Sequence, residues 1–336
     1  MSYLVLFYNR FWYPPLPKQA FAQLPDVEFT TDRARLREAD AVVFHLFIDW
    51  QIRDAVKHPE QLWVGFTMES SARTRVLRNA AAMRAFDLRM SFSRQSDVWM
   101  PYVPALEHWQ AAVAAPIPMP SEPAPAVLLQ SARTDQWGRD TYLTELMGHL
   151  KFDSYGRFLR NREMQTPDQG EDTKMALLQK YRFTFGFENS IEDDYVTEKF
   201  FQPLLAGSVP VYYGAPNVAD YAPGENSFID ASRYTPRELA DLLRELSNDE
   251  GERSKYLEWR QAPLRPAFVE LLKDAAEDPF LRLGRHIKAR LDAGKRSPQK
   301  TATRPFGIRG LIRKKLWSLR EDVMARRRAA RAIRPR

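Results

Sequence analysis

Ala115–Ala126, APIPMPSEPAPA, sets five prolines in twelve residues. Proline lacks the N–H that helix interiors and central strands require, so this stretch can form neither. It reads as a stiff extended connector that divides the chain in two. On its N-terminal side, five β-like runs fall within the first hundred residues: YLVLFY, DVEFTT, AVVFHLF, LWVGFTM and LRMSFS. Helix-like stretches such as DRARLREAD and SSARTRVLRNAAAMRAF separate them. On its C-terminal side the alternation resumes with AVLLQSA, a helix near 140–150, then KFDSYGR, RFTFGFEN, VPVYYG and SFIDAS. Strands alternating with helices specify parallel sheets covered on both faces. The expected architecture is α/β: a first domain over residues 1–115, a linker at 116–126 and a second domain over 127–285. Ligands of such folds bind at the carboxyl ends of the strands, so the expected site is a cleft between the two sheets' carboxyl edges.

Thr235–Leu246 is the clearest helix. Thr235 can cap it, Pro236 suits its first turn, and Glu238 completes a capping box. Leu239, Leu242, Leu243 and Leu246 give it one apolar face.

Composition removes several classes of function. There is no cysteine, hence no disulfide or thiolate metal site. The five histidines, His45, His58, His108, His149 and His286, are not paired at ligand spacing, so a protein-held zinc site is not expected. No window approaches ~18 uninterrupted apolar residues, so no spanning helix is expected. The opening MSYLVLFYNRF lacks a basic n-region and a small-residue cleavage site, and it reads as a buried strand rather than a signal peptide. The expected location is cytoplasmic.

Charge is concentrated at one end. Arg285–Arg336 hold 18 Lys and Arg against 3 Asp and Glu, a net of +15 in a chain of +7, so residues 1–284 carry −8. A mildly acidic body argues against a nucleic-acid groove. Lys295–Thr303, KRSPQKTAT, reads as disordered. Beyond it, GLIRKKLWSLREDVMARRRAARAI reads as a basic amphipathic helix, with Leu311, Ile312, Leu316, Leu319 and Val323 sharing a face. The tail, residues 286–336, is therefore expected to lie on an anionic membrane surface, each basic residue there contributing ~1 kcal/mol. That would make the protein peripheral on the inner face of the cytoplasmic membrane. An oligomerisation helix is the alternative.

Glu188–Lys199, ENSIEDDYVTEK, crowds ionisable groups between the strand RFTFGF and the helix TEKFFQPLLAG, which Gly207 stops. A helix N-terminus offers free N–H groups and a partial positive charge suited to phosphate oxygens. Lys199 adds a full charge in the first turn. Glu198 can accept two hydroxyl protons from a sugar diol, and Tyr195 can offer a ring face to a base or sugar. Taken alone, Glu198 and Lys199 form an ordinary surface ion pair, and Asp193 and Asp194 are solvated or capping residues. Glu192–Asp194 is read as not a metal site.

Residues 183–230 closely resemble the signature block of the α-1,3/4-fucosyltransferases, glycosyltransferase family 10, of the bacterial type. FEN…DYVTEK, AGSVPV, a Gly–x–x–Asn turn and a Pro…SFI segment stand in the family's order. WVGFTMESSART at 63–74, MSFSRQSDVWMPY at 90–102 and FDSYGRFLRN at 152–161 are weaker echoes. The resemblance implies a two-domain fold of the glycosyltransferase B type and inverting transfer of fucose from GDP-fucose, with no essential metal or other cofactor. It implies Glu69 as general base, which on its own is an ordinary polar residue at a strand end, and Glu188 as the carboxylate that stabilises an oxocarbenium-like transition state. Arg139 and Lys199 would neutralise the leaving diphosphate, and Asn189, Tyr195 and Glu198 would hold the ribose and the sugar. The expected acceptor is a glycan hydroxyl, N-acetylglucosamine in a lipopolysaccharide or Lewis-type oligosaccharide. A transferase using another GDP-hexose is the alternative. A basic-tail RNA-binding or scaffold protein is more remote, because it leaves 183–230 unexplained.

Overall fold

The computed structural model describes residues 2–10, 21–131, 135–165, 167, 169–294, 296 and 301–306. The expected amphipathic tail helix, within 307–336, and most of the KRSPQKTAT stretch lie outside these residues. The chain forms two compact units, one of Met1–Met100 with Asp278–Arg336 and one of Pro101–Glu277.

In the first unit, β1 (Tyr3–Phe7), β2 (Val27–Thr30), β3 (Ala41–His45), β4 (Leu62–Thr67), β5 (Leu88–Ser91) and β6 (Val98–Trp99) make one sheet in the order β2-β1-β3-β4-β5-β6. Every neighbouring pair is parallel. β3 and β4 are buried along their whole length, as strands covered on both faces must be. Alternate residues feed opposite cores. Val5, Phe7, Val43, Val64 and Phe66 pack under the helix Pro279–Asp292 through Leu281, Leu283, Ile287 and Leu291. Leu4, Leu6, Val42, Phe44 and Trp63 pack on the other side with Val76, Met83 and Phe86. The helix-like stretch 70–86 yields only a 3-10 turn, Arg75–Arg78, and a short helix, Ala80–Met83. Asn79 sits between them off helical geometry, and its side chain caps the second by accepting from the Ala82 N–H.

In the second unit, β7 (Ala126–Leu128), β8 (Asp153–Ser154), β9 (Phe183–Phe187), β10 (Val209–Tyr213) and β11 (Ile229–Asp230) run parallel in the order β11-β10-β9-β7-β8. The expected capping box on helix Pro236–Asn248 is present, and Leu239, Leu243 and Leu246 are buried as expected. In each sheet the chain steps one way from its first strand and later ones build out on the other side. This creates a switch point between β1 and β3 and another between β7 and β9, where such folds bind ligands.

The units' limits differ from the expected domain boundaries. Residues 101–115 belong to the second unit, where Trp109 is fully buried against Phe201, Trp259 and Phe268. The proline-rich stretch belongs there too: the Ser121 and Glu122 N–H groups donate to the Lys180 carbonyl at 3.0 and 3.1 Å. Residues 278–285 belong to the first unit. Arg282 and Arg290 of their helix donate to the carbonyls of Trp99 and Asp87 at 3.2 and 2.9 Å. Proline forbids regular structure but does not decide which unit the chain packs on. Among the described residues no helix is long and apolar enough to cross a membrane.

Candidate functional site

The carboxyl end of β9 delivers Glu188 directly into a loop that returns as helix Glu198–Ala206. Two glycines let these parts approach. A Cβ on Gly186 would stand 2.5 Å from the Lys199 carbonyl oxygen, and one on Gly214 would stand 2.5 Å from Glu188 Cγ. Thr197 caps the helix and also holds Glu188: its N–H and hydroxyl donate to Glu188 Oε1 at 2.8 and 2.7 Å. Lys199 Nζ stands 3.2 Å from Glu188 Oε2, 3.2 Å from Glu198 Oε1 and 3.0 Å from Thr197 Oγ1.

Exposure separates the roles these groups can take. Glu188 is 0% exposed, and burial pushes its carboxyl above the usual range although Lys199 and Thr197 pull it down. Burial also opposes the charge on Lys199, but Glu188 and Glu198 outweigh it and hold the ammonium above its ordinary pKa. Lys199 is therefore a fixed cation at any physiological pH. Glu198 keeps 43% side-chain exposure, and Lys199 and Lys174 hold it below the usual range against burial. It is an ionised acceptor open to a hydroxylated ligand. Lys174, on helix Glu171–Leu178, is a second cation within electrostatic reach of Glu198 and Glu188, with its own pKa lowered by burial. Sequence reasoning missed it and Thr197. The signal for Thr197 was available: a threonine immediately before a Glu-Lys helix start is a capping position.

Arg139 opens helix Arg139–His149 after β7, across the switch point from Glu188. It is 2% exposed, its Nη1 donates to the Phe187 carbonyl at 3.3 Å, and its Nε lies 3.6 Å from Asp140. The Trp137 indole donates to the next carbonyl, Glu188, at 3.0 Å, and its ring lies 4.0 Å from that of Tyr213, tilted by 33°. The 135–139 turn thus grips two successive carbonyls at the end of β9. Its own shape comes from Asp135, whose Oδ1 accepts the N–H groups of Trp137, Gly138 and Arg139. Asn189 is 6% exposed and accepts from the Ser190 hydroxyl at 3.1 Å. Tyr195, expected to offer a ring face, is 2% exposed, and its ring meets Tyr102 edge to face.

Of the expected site residues, Glu188, Glu198 and Lys199 stand together, with Asn189 and Tyr195 on the same loop and Arg139 beneath the end of β9. Glu69 belongs to the first unit, just past β4 and beside that sheet's own carboxyl edge. Its carboxylate is held by both oxygens on Arg73 Nη1 at 3.0 and 2.9 Å, and Arg73 lies over the Phe47 ring at 5.3 Å. Asp194, read as solvated or capping, is instead buried and bonded to Asn217 and Tyr221. Among the described residues no group of three or more His, Cys, Asp or Glu is placed to hold a metal ion.

Residues 120–291 match the family model described as glycosyltransferase family 10 (fucosyltransferase) C-term, and residues 2–103 match that of the fucosyltransferase N-terminal domain. The GDP-fucose protein O-fucosyltransferase 3 of Rattus norvegicus is 35% identical over 212 residues, 59% of this chain and 44% of that protein. That of Danio rerio is 34% identical over 239 residues, 67% of this chain and 52% of that protein. The chain spans about half the length of the curated relatives it matches. An α1,3-fucosyltransferase crystallised with GDP-fucose shares the fold at a TM-score of 0.55 and 16% identity, over 82% of this chain and 91% of that one. Two parallel α/β sheets in this order are the glycosyltransferase B type of fold, and with both halves matched by the family's own domains the chain belongs to glycosyltransferase family 10, the fucosyltransferases.

Proposed function

We propose that this chain transfers fucose from GDP-fucose to an acceptor hydroxyl with inversion at the anomeric carbon. The observation that carries the reading is the Glu188–Lys199–Glu198 cluster, set where β9 hands over to a helix N-terminus. The acceptor oxygen attacks C1 of fucose, its proton passes to Glu69, and the C1–O bond to the diphosphate breaks with its electron pair leaving on GDP. Lys199 and the helix N–H groups take up the charge that develops on the leaving diphosphate, supported by Lys174. Glu188, a buried carboxylate behind Thr197 and Lys199, stabilises the oxocarbenium-like centre through its negative charge. Glu198 and Asn189 engage sugar hydroxyls. Arg139 serves from beneath, fixing the backbone of the β9 end.

Two acceptor classes have support. The resemblance of residues 183–230 to the α-1,3/4-fucosyltransferases favours a glycan such as N-acetylglucosamine in a lipopolysaccharide or Lewis-type oligosaccharide. The relatives with higher identity, named protein O-fucosyltransferases, favour a hydroxyl on a protein. The test is incubation of the chain with GDP-fucose and a panel of type 1 and type 2 oligosaccharides beside folded, serine- and threonine-bearing protein domains, with linkage analysis of any product. Transfer to one class is expected, with turnover falling by about 10²-fold or more in Glu69→Gln. Hydrolysis or transfer from GDP-mannose in preference to GDP-fucose would overturn the donor, and unchanged turnover in Glu69→Gln would overturn the base.

A further inference from the structure

Asn217 sits after β10, on a different loop from the site carboxylates, yet it grips the loop that carries them. Its Nδ2 donates to Asp194 Oδ1 at 2.9 Å, and its Oδ1 accepts the Asp194 N–H at 2.9 Å. The Tyr221 hydroxyl donates to the same Asp194 oxygen at 2.9 Å. Asp194 is 8% exposed and holds a left-handed backbone with φ of 65°, so the surrounding bonds must hold it there. Tyr212, 1% exposed, ties the same two loops: its hydroxyl donates to the Tyr195 carbonyl at 3.3 Å and accepts the Ala215 N–H at 3.1 Å. Between this anchor and the Thr197–Glu188 bonds lie only Tyr195 and Val196.

We propose that Asp194, Asn217 and Tyr221 form a latch that positions the 188–199 loop, and with it Thr197 and the first turn of helix Glu198–Ala206, in the geometry that receives the donor diphosphate. The proposal rests on reading this loop as the GDP-fucose site. The three are positioning residues. Asn217 is the chemically demanding one, because its position must present a donor to a carboxylate and an acceptor to a backbone N–H at once. Only a carboxamide does both. A carboxylate at 217 would face Asp194 acceptor to acceptor in a buried place. Exchanging the two residue types restores the pair between them: the amide at 194 donates to the carboxylate at 217, which still accepts the 194 N–H, and the same amide's second N–H can be accepted by the Tyr221 hydroxyl, reversing that bond.

The experiment measures GDP affinity by calorimetry and GDP-fucose KM and kcat, on the full chain and on Asn217→Asp, Asp194→Asn with Asn217→Asp, and Tyr221→Phe, with circular dichroism melting as the folding control. Asn217→Asp is expected to raise the GDP Kd and donor KM by about tenfold or more, the loss that leaving a buried partner unsatisfied implies, with kcat at saturating donor reduced less. The double exchange is expected to return both to within about threefold of the unmodified chain. Tyr221→Phe, which removes one hydroxyl and keeps the ring, is expected to raise KM by about threefold or more and carries the test if Asn217→Asp does not fold. A folded Asn217→Asp with unchanged GDP affinity, a double exchange no better than the single change, or an unchanged KM in Tyr221→Phe would each overturn the latch. An unmodified chain that binds no GDP would overturn the site reading and the latch together.

Discussion

Replacing Lys199 with methionine withdraws a cation from between two carboxylates while keeping most of its stem. Glu188 Oε2 and Glu198 Oε1 each stand 3.2 Å from the ammonium, and Glu188 has no contact with water. At an effective dielectric constant of about 20, Coulomb's law gives about 5 kcal/mol for a pair at that distance. Lys199 keeps 29% side-chain exposure, so water screens part of this, and desolvation of Glu188 opposes more. A net coupling of about 2–3 kcal/mol between positions 188 and 199 remains. A double-mutant cycle isolates it, using Lys199→Met, Glu188→Gln and both, with stability read by urea unfolding at pH 7. Glu188→Gln removes the charge and keeps an oxygen for the Thr197 N–H. Lys199→Met alone is expected to lose about 2–3 kcal/mol, and in the Glu188→Gln background under about 1 kcal/mol. The deficit of Lys199→Met should shrink as pH falls, because a stranded buried carboxylate takes up a proton. A coupling below about 0.5 kcal/mol at pH 7 would refute the argument that Lys199 is what makes a buried charge at 188 tolerable.

Other outcomes follow from the same geometry. Burial raises the Glu188 pKa, so GDP, an anion, is expected to bind more tightly as pH falls through that raised value; calorimetry between pH 5 and 8 should find this dependence flattened, and GDP bound more tightly at pH 7, in Glu188→Gln. Lys199 is raised above its ordinary 10.5 by Glu188 and Glu198 against the pull of burial, so the stability it adds is present below that pH and lost as pH rises through the higher folded value. Thr235→Ala removes the side-chain half of the capping box on helix Pro236–Asn248, leaving the residue-235 N–H to Glu238, and is expected to cost about 1 kcal/mol, seen as a melting shift of about 2–4 °C in the second unit.

The parts of the site that were legible in the sequence are those whose chemistry is local. Glu188, Glu198 and Lys199 announce themselves by standing at a strand end and a helix start, and Thr235–Glu238 carries a complete capping signal. What was not legible depends on partners far along the chain. Asp194 looks solvated beside Asp193, and its burial is decided by Asn217 and Tyr221, more than twenty residues away. Arg139 looks like a surface cation free to meet phosphate, and only the approach of β9 turns it toward the Phe187 carbonyl. β6 is two residues long, below what any periodicity can register. The helix Pro279–Asp292 has a readable apolar stripe, but a stripe does not say which sheet it will cover.

That helix also sets an order of events during synthesis. Leu281, Leu283, Ile287 and Leu291 complete a core whose first strand begins at Tyr3. As the polypeptide leaves the ribosome, everything needed for residues 101–277 emerges before this last covering piece does. The later-made half can therefore settle first, while the earlier-made half waits with one oily face unprotected. This inverts the usual amino-terminal-first sequence of multidomain chains and directs the need for chaperone shelter to the first hundred residues.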